Sequence, residues 1–176
     1  MSSISVEIHK DSSLLFMWLA IKNRLWMAAR RQRHGLHDQA NCALCDQELQ
    51  TANHLFSSCS YTLQVWHEIS ASMNIQNAAP AQHQSLLDWW MPKRVGFNAT
   101  KRKGLDSAFM LISWKLWKER NDVFNRSSAK NVATLVQEIS TEGELWCATG
   151  AKHLAAIGWP GTLATPGTAQ LLSMHL

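Results

Sequence analysis

The chain has 176 residues with 46% hydrophobic and 17% charged positions, an ordinary globular balance that argues against wholesale disorder. A net charge of +4 permits contact with polyanions without requiring it. The polar N-terminus has no basic-then-apolar leader, and the apolar run from Leu14 to Ile21 is too short to cross a bilayer. The expected setting is therefore intracellular, nucleus or cytoplasm, with no membrane partner, and closely spaced cysteines in a reducing compartment point to metal rather than disulfides.

In chain order, Leu14, Trp18, Ile21, Leu25 and Ala28 step at intervals of four and three, which predicts one amphipathic helix. Asp11, Ser12 or Ser13 would cap its start and Gly35 its end. Arg30, Arg31 and Arg33 fall in its last turn, where cations oppose the negative end of the helix dipole. Gly35 to Leu49 reads as a polar segment carrying two close cysteines. Thr51 can cap a second helical start, and Thr62, Val65, Trp66, Ile69 and Met73 define a further helical face.

Asn74 to Gln84 reads as a loop around Pro80. A short helix is predicted over Ser85 to Met91, stopped by Pro92, and Lys93 to Thr100 as another loop. Leu105, Phe109, Ile112, Leu116 and Phe124 mark a long helix. Ser127 or Ser128 restarts a helix through Val132, Leu135, Ile139 and Trp146. From Gly158 onward, prolines, glycines and threonines suggest a loose tail. No alternating run supports a strand. The expected fold is all-α: a zinc-stapled helical domain over 12–75, a helical region over 76–157 and a flexible tail over 158–176.

The chemistry concentrates in Cys42-x2-Cys45-x8-His54-x4-Cys59. Zinc takes four such donors in a tetrahedron, at about 2.3 Å for sulfur and about 2.0 Å for nitrogen. A two-residue gap lets one turn aim both thiolates at a single ion, and Asp38 and Asn41 supply turn chemistry ahead of it. The second pair carries a sharper constraint. Five residues span roughly 500° of α-helix, so His54 and Cys59 would point about 140° apart on a straight helix. The helix bearing His54 must therefore loosen or end over Ser57 to Ser60, with a new helix starting near Ser60.

Four protein donors leave no coordination position open, which indicates a structural rather than a catalytic ion. Three thiolates and a neutral imidazole leave the occupied site at minus one, which Arg30, Arg31 or Arg33 can offset. The imidazole nitrogen turned away from the ion needs an acceptor that the sequence does not identify. His34 and His37 are rival ligands but read better as surface histidines, and Cys147 reads as a core thiol.

Nucleic-acid contact rests on Lys22, Arg24, Arg30, Arg31 and Arg33, which can reach phosphates, and on Trp26, which can stack on an exposed base. A second basic group, Lys93, Arg94, Lys101, Arg102 and Lys103, brackets a loop and a helix start, where cations are unfavourable; it reads as a long flexible loop rather than as a ligand site. Trp89-Trp90 and Trp114-x2-Trp117 read as core. No enzyme is expected: the acids are scattered, Glu142 and Glu144 read as a solvated face, and there is no glycine-rich phosphate loop.

Several of these segments together resemble a known family. Trp18-Leu19-Ala20, Asn23-Arg24-Leu25, Arg33-His34-Gly35, Cys42-x2-Cys45 and His54-Leu55-Phe56-x2-Cys59, ending in Val65-Trp66, are similar to the zinc-binding domain of plant reverse transcriptases of LINE-type retrotransposons. Ile112-Ser113-Trp114-x2-Trp117-Lys118-x-Arg120-Asn121 with Phe124 resembles the tail of such polyproteins. The resemblance implies a zinc ion on Cys42, Cys45, His54 and Cys59, a role in holding RNA or DNA, and a reverse transcriptase domain as partner. The Tyr-x-Asp-Asp sequence of the polymerase is missing: Tyr61 precedes Thr-Leu-Gln. The chain thus reads as a C-terminal retroelement fragment, and a protein-interaction or structural remnant is the alternative.

Overall fold

The computed structural model describes residues 15–22, 24–35, 41–73, 85–126 and 128–159. Its elements are α1 (15–21), α2 (Ala28–Arg33), a π-helical turn (His54–Ser58), α3 (Ser60–Ser72), α4 (Leu86–Lys93), α5 (Ala99–Arg126), α6 (Val132–Ala148) and α7 (Lys152–Ala155). Among the described residues the sole β feature is an isolated antiparallel bridge between Asn41 and Leu49. The expected all-α class holds. The caps expected at Asp11, Ser12 or Ser13, His37, Asp38, the loop over Asn74 to Gln84 and the tail beyond Trp159 lie outside the described residues.

The first helix differs from expectation in two ways. It is broken: Lys22 N–H still reaches Trp18 O at 3.0 Å, but Arg24 N–H bonds Leu19 O at 2.7 Å, five residues back, and the chain is irregular until α2. Leu25 and Met27 explain the break. Both are buried, and two residues separated by one cannot share a helical face. The buried face is also different. Phe16 and Ala20 point inward, while Trp18 and Ile21 are 55% and 41% exposed. The apolar spacing was sound as a period but selected the wrong side, because α1 has apolar residues on both. Gly35 follows α2 at φ 75°, the left-handed conformation that suits glycine at a helix end.

The later helices follow local chemistry. The Ser85 side chain caps α4 by accepting from Asp88 N–H, and Pro92 is accommodated in its last turn rather than ending it. α5 starts at Ala99, shortening the expected loop, with Asn98 Oδ1 accepting from Lys101 N–H at 2.9 Å. Asn131, not Ser127 or Ser128, caps α6 through Thr134 N–H. Trp159, assigned to the tail by its sequence, is buried, and its indole N–H donates to Ser140 O at 3.3 Å. Its ring lies where a Cβ on Gly143 would stand, 1.9 Å from Nε1, so α6 needs glycine there.

One apolar core joins both halves of the chain. Phe16 of α1 sits 5.9 Å from Phe56 of the π turn and 5.3 Å from Trp114 of α5, ring centre to ring centre. Trp66 of α3 stacks on Phe109 of α5 at 5.7 Å and meets Trp89 of α4 edge-on at 4.9 Å. Leu111, Leu116, Leu135, Ile139 and Leu154 are fully buried around them. Trp89, Trp90, Trp114 and Trp117 are thus core or core-packed, as their helical spacing suggested.

Polar contacts also bridge the halves. Arg120 of α5 is buried and donates from Nε to Gln50 Oε1 at 2.8 Å, while Tyr61 Oη donates to Lys130 O at 2.9 Å. Lys130 in turn meets Glu138 Oε1 at 2.5 Å and the buried Glu119 at 3.7 Å. The second basic group is partly engaged: the Arg94 guanidinium pairs with Asp106 at 2.9 Å, and Lys101 lies over the Phe97 ring.

Candidate metal centre

The short segment 41–49 is a hairpin closed on itself. The Asn41–Leu49 bridge holds its ends, Cys42 N–H donates to Glu48 O at 2.7 Å, and Asp46 N–H donates to Cys42 O at 2.7 Å. Asp46 adopts φ 55°, a left-handed conformation that a short polar side chain tolerates better than a branched one. The Asn41 side chain supports it by donating to Asp46 O at 3.3 Å. This tight turn brings the Cys42 and Cys45 sulfurs to one side.

The second pair is presented by an unusual helix. Thr51 Oγ1 accepts from His54 N–H at 3.0 Å, the capping contact expected of Thr51. The chain then winds as a π turn from His54 to Ser58, in which Cys59 N–H bonds His54 O at 2.8 Å. Such i to i+5 pairing widens the turn and stacks residues five apart. His54 and Cys59, which a straight α-helix would splay, therefore face the same way. Leu55 and Phe56, between them, are fully buried in the core. Cys59 is extended at ψ 128° and serves as N-cap of α3, where the positive end of the helix dipole favours a thiolate.

The four donor atoms of Cys42, Cys45, His54 and Cys59 all lie within 4.8 Å of one another. Cys42 and Cys59 Sγ are 3.8 Å apart, and Cys45 Sγ is 3.2 Å from His54 Nε2. A tetrahedron of sulfurs at about 2.3 Å from zinc has edges of about 3.8 Å, so the donor set fits that ion in size as well as in chemistry. Cys42 and Cys59 are fully buried and His54 is 5% exposed, so water does not compete for them.

Their electrostatics show what a cation would relieve. The hydrogen bond from Cys59 holds the Cys42 thiol down to about 3 against burial, helped by His54 and the backbone N–H groups of Leu44 and Cys45. The same bond, with burial, pushes Cys59 far above the usual thiol range, although the Thr62 amide pulls it down. Burial lowers the His54 imidazole, but Cys42 and Cys45 outweigh it and raise the group to about 9. Thiolates this close repel one another, and a divalent cation bound among them would let all three be ionised.

Residues 9–66 match a protein-family model described as zinc-binding in reverse transcriptase. That span contains every donor of the cluster, and the match and the cluster together support a zinc-binding domain here. The family's zinc-binding unit is an accessory domain rather than a catalytic one. No curated protein and no solved structure matches the chain.

The sequence-predicted nucleic-acid residues divide by environment. Lys22, Arg24 and Arg33 are exposed, and Trp26 is 50% exposed. Arg30 is half-buried: its guanidinium lies 4.9 Å over the Trp26 ring and donates to Arg24 O. Arg31 is likewise half-buried. Arg30 is thus held against Trp26 and the Arg24 carbonyl. His34 is exposed beside Trp26 at 5.4 Å, in keeping with a surface histidine.

Cys147 is half-buried, and burial, then Glu144, raise its thiol. Glu142 accepts the Trp146 indole N–H at 3.1 Å rather than facing a reactive partner. Among the described residues, the zinc cluster is the one group of side chains assembled to hold a metal ion. No helix among them is long and apolar enough to cross a membrane.

One residue of the site escaped the sequence. The Nδ1 of His54, on the ring edge away from the sulfurs, is 2.9 Å from Glu48 Oε2 and 3.3 Å from Ser58 Oγ. Glu48 thus stands where an acceptor for the imidazole N–H is called for. Its role depends on the hairpin bridge, which no spacing rule reveals.

Proposed function

We propose that this chain is a non-catalytic nucleic-acid-binding module, built on zinc held by Cys42, Cys45, His54 and Cys59, and derived from the C-terminal part of a plant LINE-type reverse transcriptase. The reading divides the chain into a zinc-binding domain over 12–75, a helical region over 76–157 and a tail over 158–176. A polymerase outside this sequence is its natural protein partner.

The observation that supports nucleic-acid contact best is the pairing of Trp26 with Arg30. A half-exposed indole under a guanidinium, in a segment that also carries the exposed Lys22, Arg24 and Arg33, supports stacking together with phosphate neutralisation. Titration of labelled single-stranded RNA and DNA at two salt concentrations tests it. Binding should weaken as salt rises, and Arg30→Ala/Arg31→Ala/Arg33→Ala should flatten that dependence. Trp26→Ala should cost roughly 1–3 kcal/mol if one base stacks on it. Absence of binding at low salt, or binding indifferent to these changes, removes the reading.

A protein-interaction or structural role is the second reading, favoured by α1. Leu15, Trp18 and Ile21 are 60%, 55% and 41% exposed on one helix, an apolar surface of the kind that a protein partner covers. Trp18→Ala separates the two, since it should spare nucleic-acid binding and abolish only a protein contact.

A further inference from the structure

We infer that Glu48 is the positioning residue of the zinc site: its carboxylate accepts a hydrogen bond from His54 Nδ1–H and thereby presents Nε2 to the metal. The inference rests on the zinc reading above and deepens it.

A neutral imidazole has one N–H and one lone pair, and whichever nitrogen carries the proton cannot ligate. Nothing in the Cys-x2-Cys…His-x4-Cys spacing chooses between them. The structure does. His54 Nε2 is 3.2 Å from Cys45 Sγ, inside the cluster, and Nδ1 is 2.9 Å from Glu48 Oε2, outside it. A carboxylate accepts only, so it selects the tautomer with the proton on Nδ1. It also raises the basicity of the opposite nitrogen, which strengthens that nitrogen's bond to a cation.

Glu48 is well placed because its backbone is already committed. Its carbonyl takes the Cys42 N–H at 2.7 Å, and the adjoining Leu49 closes the bridge to Asn41. The residue that seals the turn under the first two ligands therefore also orients the third. Ser58 Oγ, 3.3 Å from Nδ1, is a longer and uncharged contact, a weaker substitute. The Glu48 side chain is 63% exposed and fills no core space, so its removal should leave the packing of Leu55 and Phe56 intact.

The full-length protein, loaded with Co2+ or Zn2+, supplies the test. Metal affinity is read by competition with a chromophoric chelator, and site geometry by the visible bands of the cobalt form. Glu48→Ala should weaken zinc binding by roughly 10–100-fold, the usual range for such outer partners. Glu48→Gln, whose amide oxygen still accepts, should fall between it and the parent. Ser58→Ala should change little.

The deciding measurement is the same change in a His54→Cys background, which has no imidazole to orient. There Glu48→Ala should have no effect, whereas a purely structural role would persist. A Glu48→Ala protein within twofold of the parent, or an equal loss in both backgrounds, overturns the assignment. Cys42→Ser reports on the zinc reading independently: if it binds zinc as the parent does, the ligand set itself is wrong, whatever Glu48 does.

Discussion

The zinc hairpin and the α5–α6 helices reach order by opposite routes. Residues 41–59 form one antiparallel bridge and one π turn, and their fixed points are four donors gathered within 4.8 Å. α5 and α6 run from Ala99 to Arg126 and from Val132 to Ala148, and hold together through Leu111, Leu116, Leu135 and Ile139. A segment too short to bury a core substitutes metal coordination for it, whereas a long amphipathic pair needs none. The two are nonetheless joined, since Phe56 of the π turn lies against Phe16, which itself packs on Trp114.

The strongest way to break this contrast is to remove the ion. Structural zinc supplies roughly 10–16 kcal/mol of apparent binding free energy in small sites. Cys42→Ser, or exhaustive chelation, should therefore abolish amide-exchange protection over 41–59 while α5 and α6 retain most of theirs. Equal loss across both regions would make the chain one cooperative unit, with the aromatic bridge as its cause.

The reciprocal experiment attacks the helices. Ile139→Ala opens a cavity at a fully buried position and should cost about 2–5 kcal/mol in denaturant unfolding. Zinc stoichiometry should stay at the parent value, and a drop would mean that the hairpin depends on the helices for its shape. Asp46→Val is a smaller probe confined to the hairpin. A β-branched side chain at φ 55° should destabilise the metal-bound form by about 1–2 kcal/mol, and Asp46→Gly should be near neutral, both read by thermal unfolding.

The mildest probe is acid. Burial raises the Glu138 carboxyl, but Lys130 and Lys115 outweigh it and hold it below the ordinary carboxylate value. A depressed folded-state value contributes stability above the unfolded value, and this is lost as pH falls through the folded one. The helices should therefore weaken slightly below about pH 4.5, and Glu138→Gln should blunt that trend. The effect must be followed on the metal-free Cys42→Ser protein, because protons also displace zinc from its thiolates.

Much of the metal site was legible beforehand because coordination constrains spacing. The five-residue step from His54 to Cys59 is incompatible with an α-helix, and the chain does leave α geometry there and restart at Ser60. Helical periodicity likewise located α3, α5 and α6. It failed at α1 because Trp18 and Ile21 are as apolar as Phe16 and Ala20, so composition alone could not choose the inner face. It also missed the break before α2, which follows from burying Leu25 and Met27 together. Glu48 was invisible because its partner is six residues away across a turn whose closure depends on backbone bonds.

The π turn carries a consequence for how this segment tolerates change in length. Relative to an α-helix it contains one surplus residue, and that surplus sets the azimuth of Cys59. Deleting Ser57 or Ser58 and letting the helix heal into regular winding would leave the histidine and the thiol four residues apart, about 40° round an α-helix, so both would still face the ion. The π turn thus lets a five-residue spacing do what a four-residue spacing does on an ordinary helix. A further residue inserted between them has no such accommodation, and it would register as lost metal rather than as lost helix.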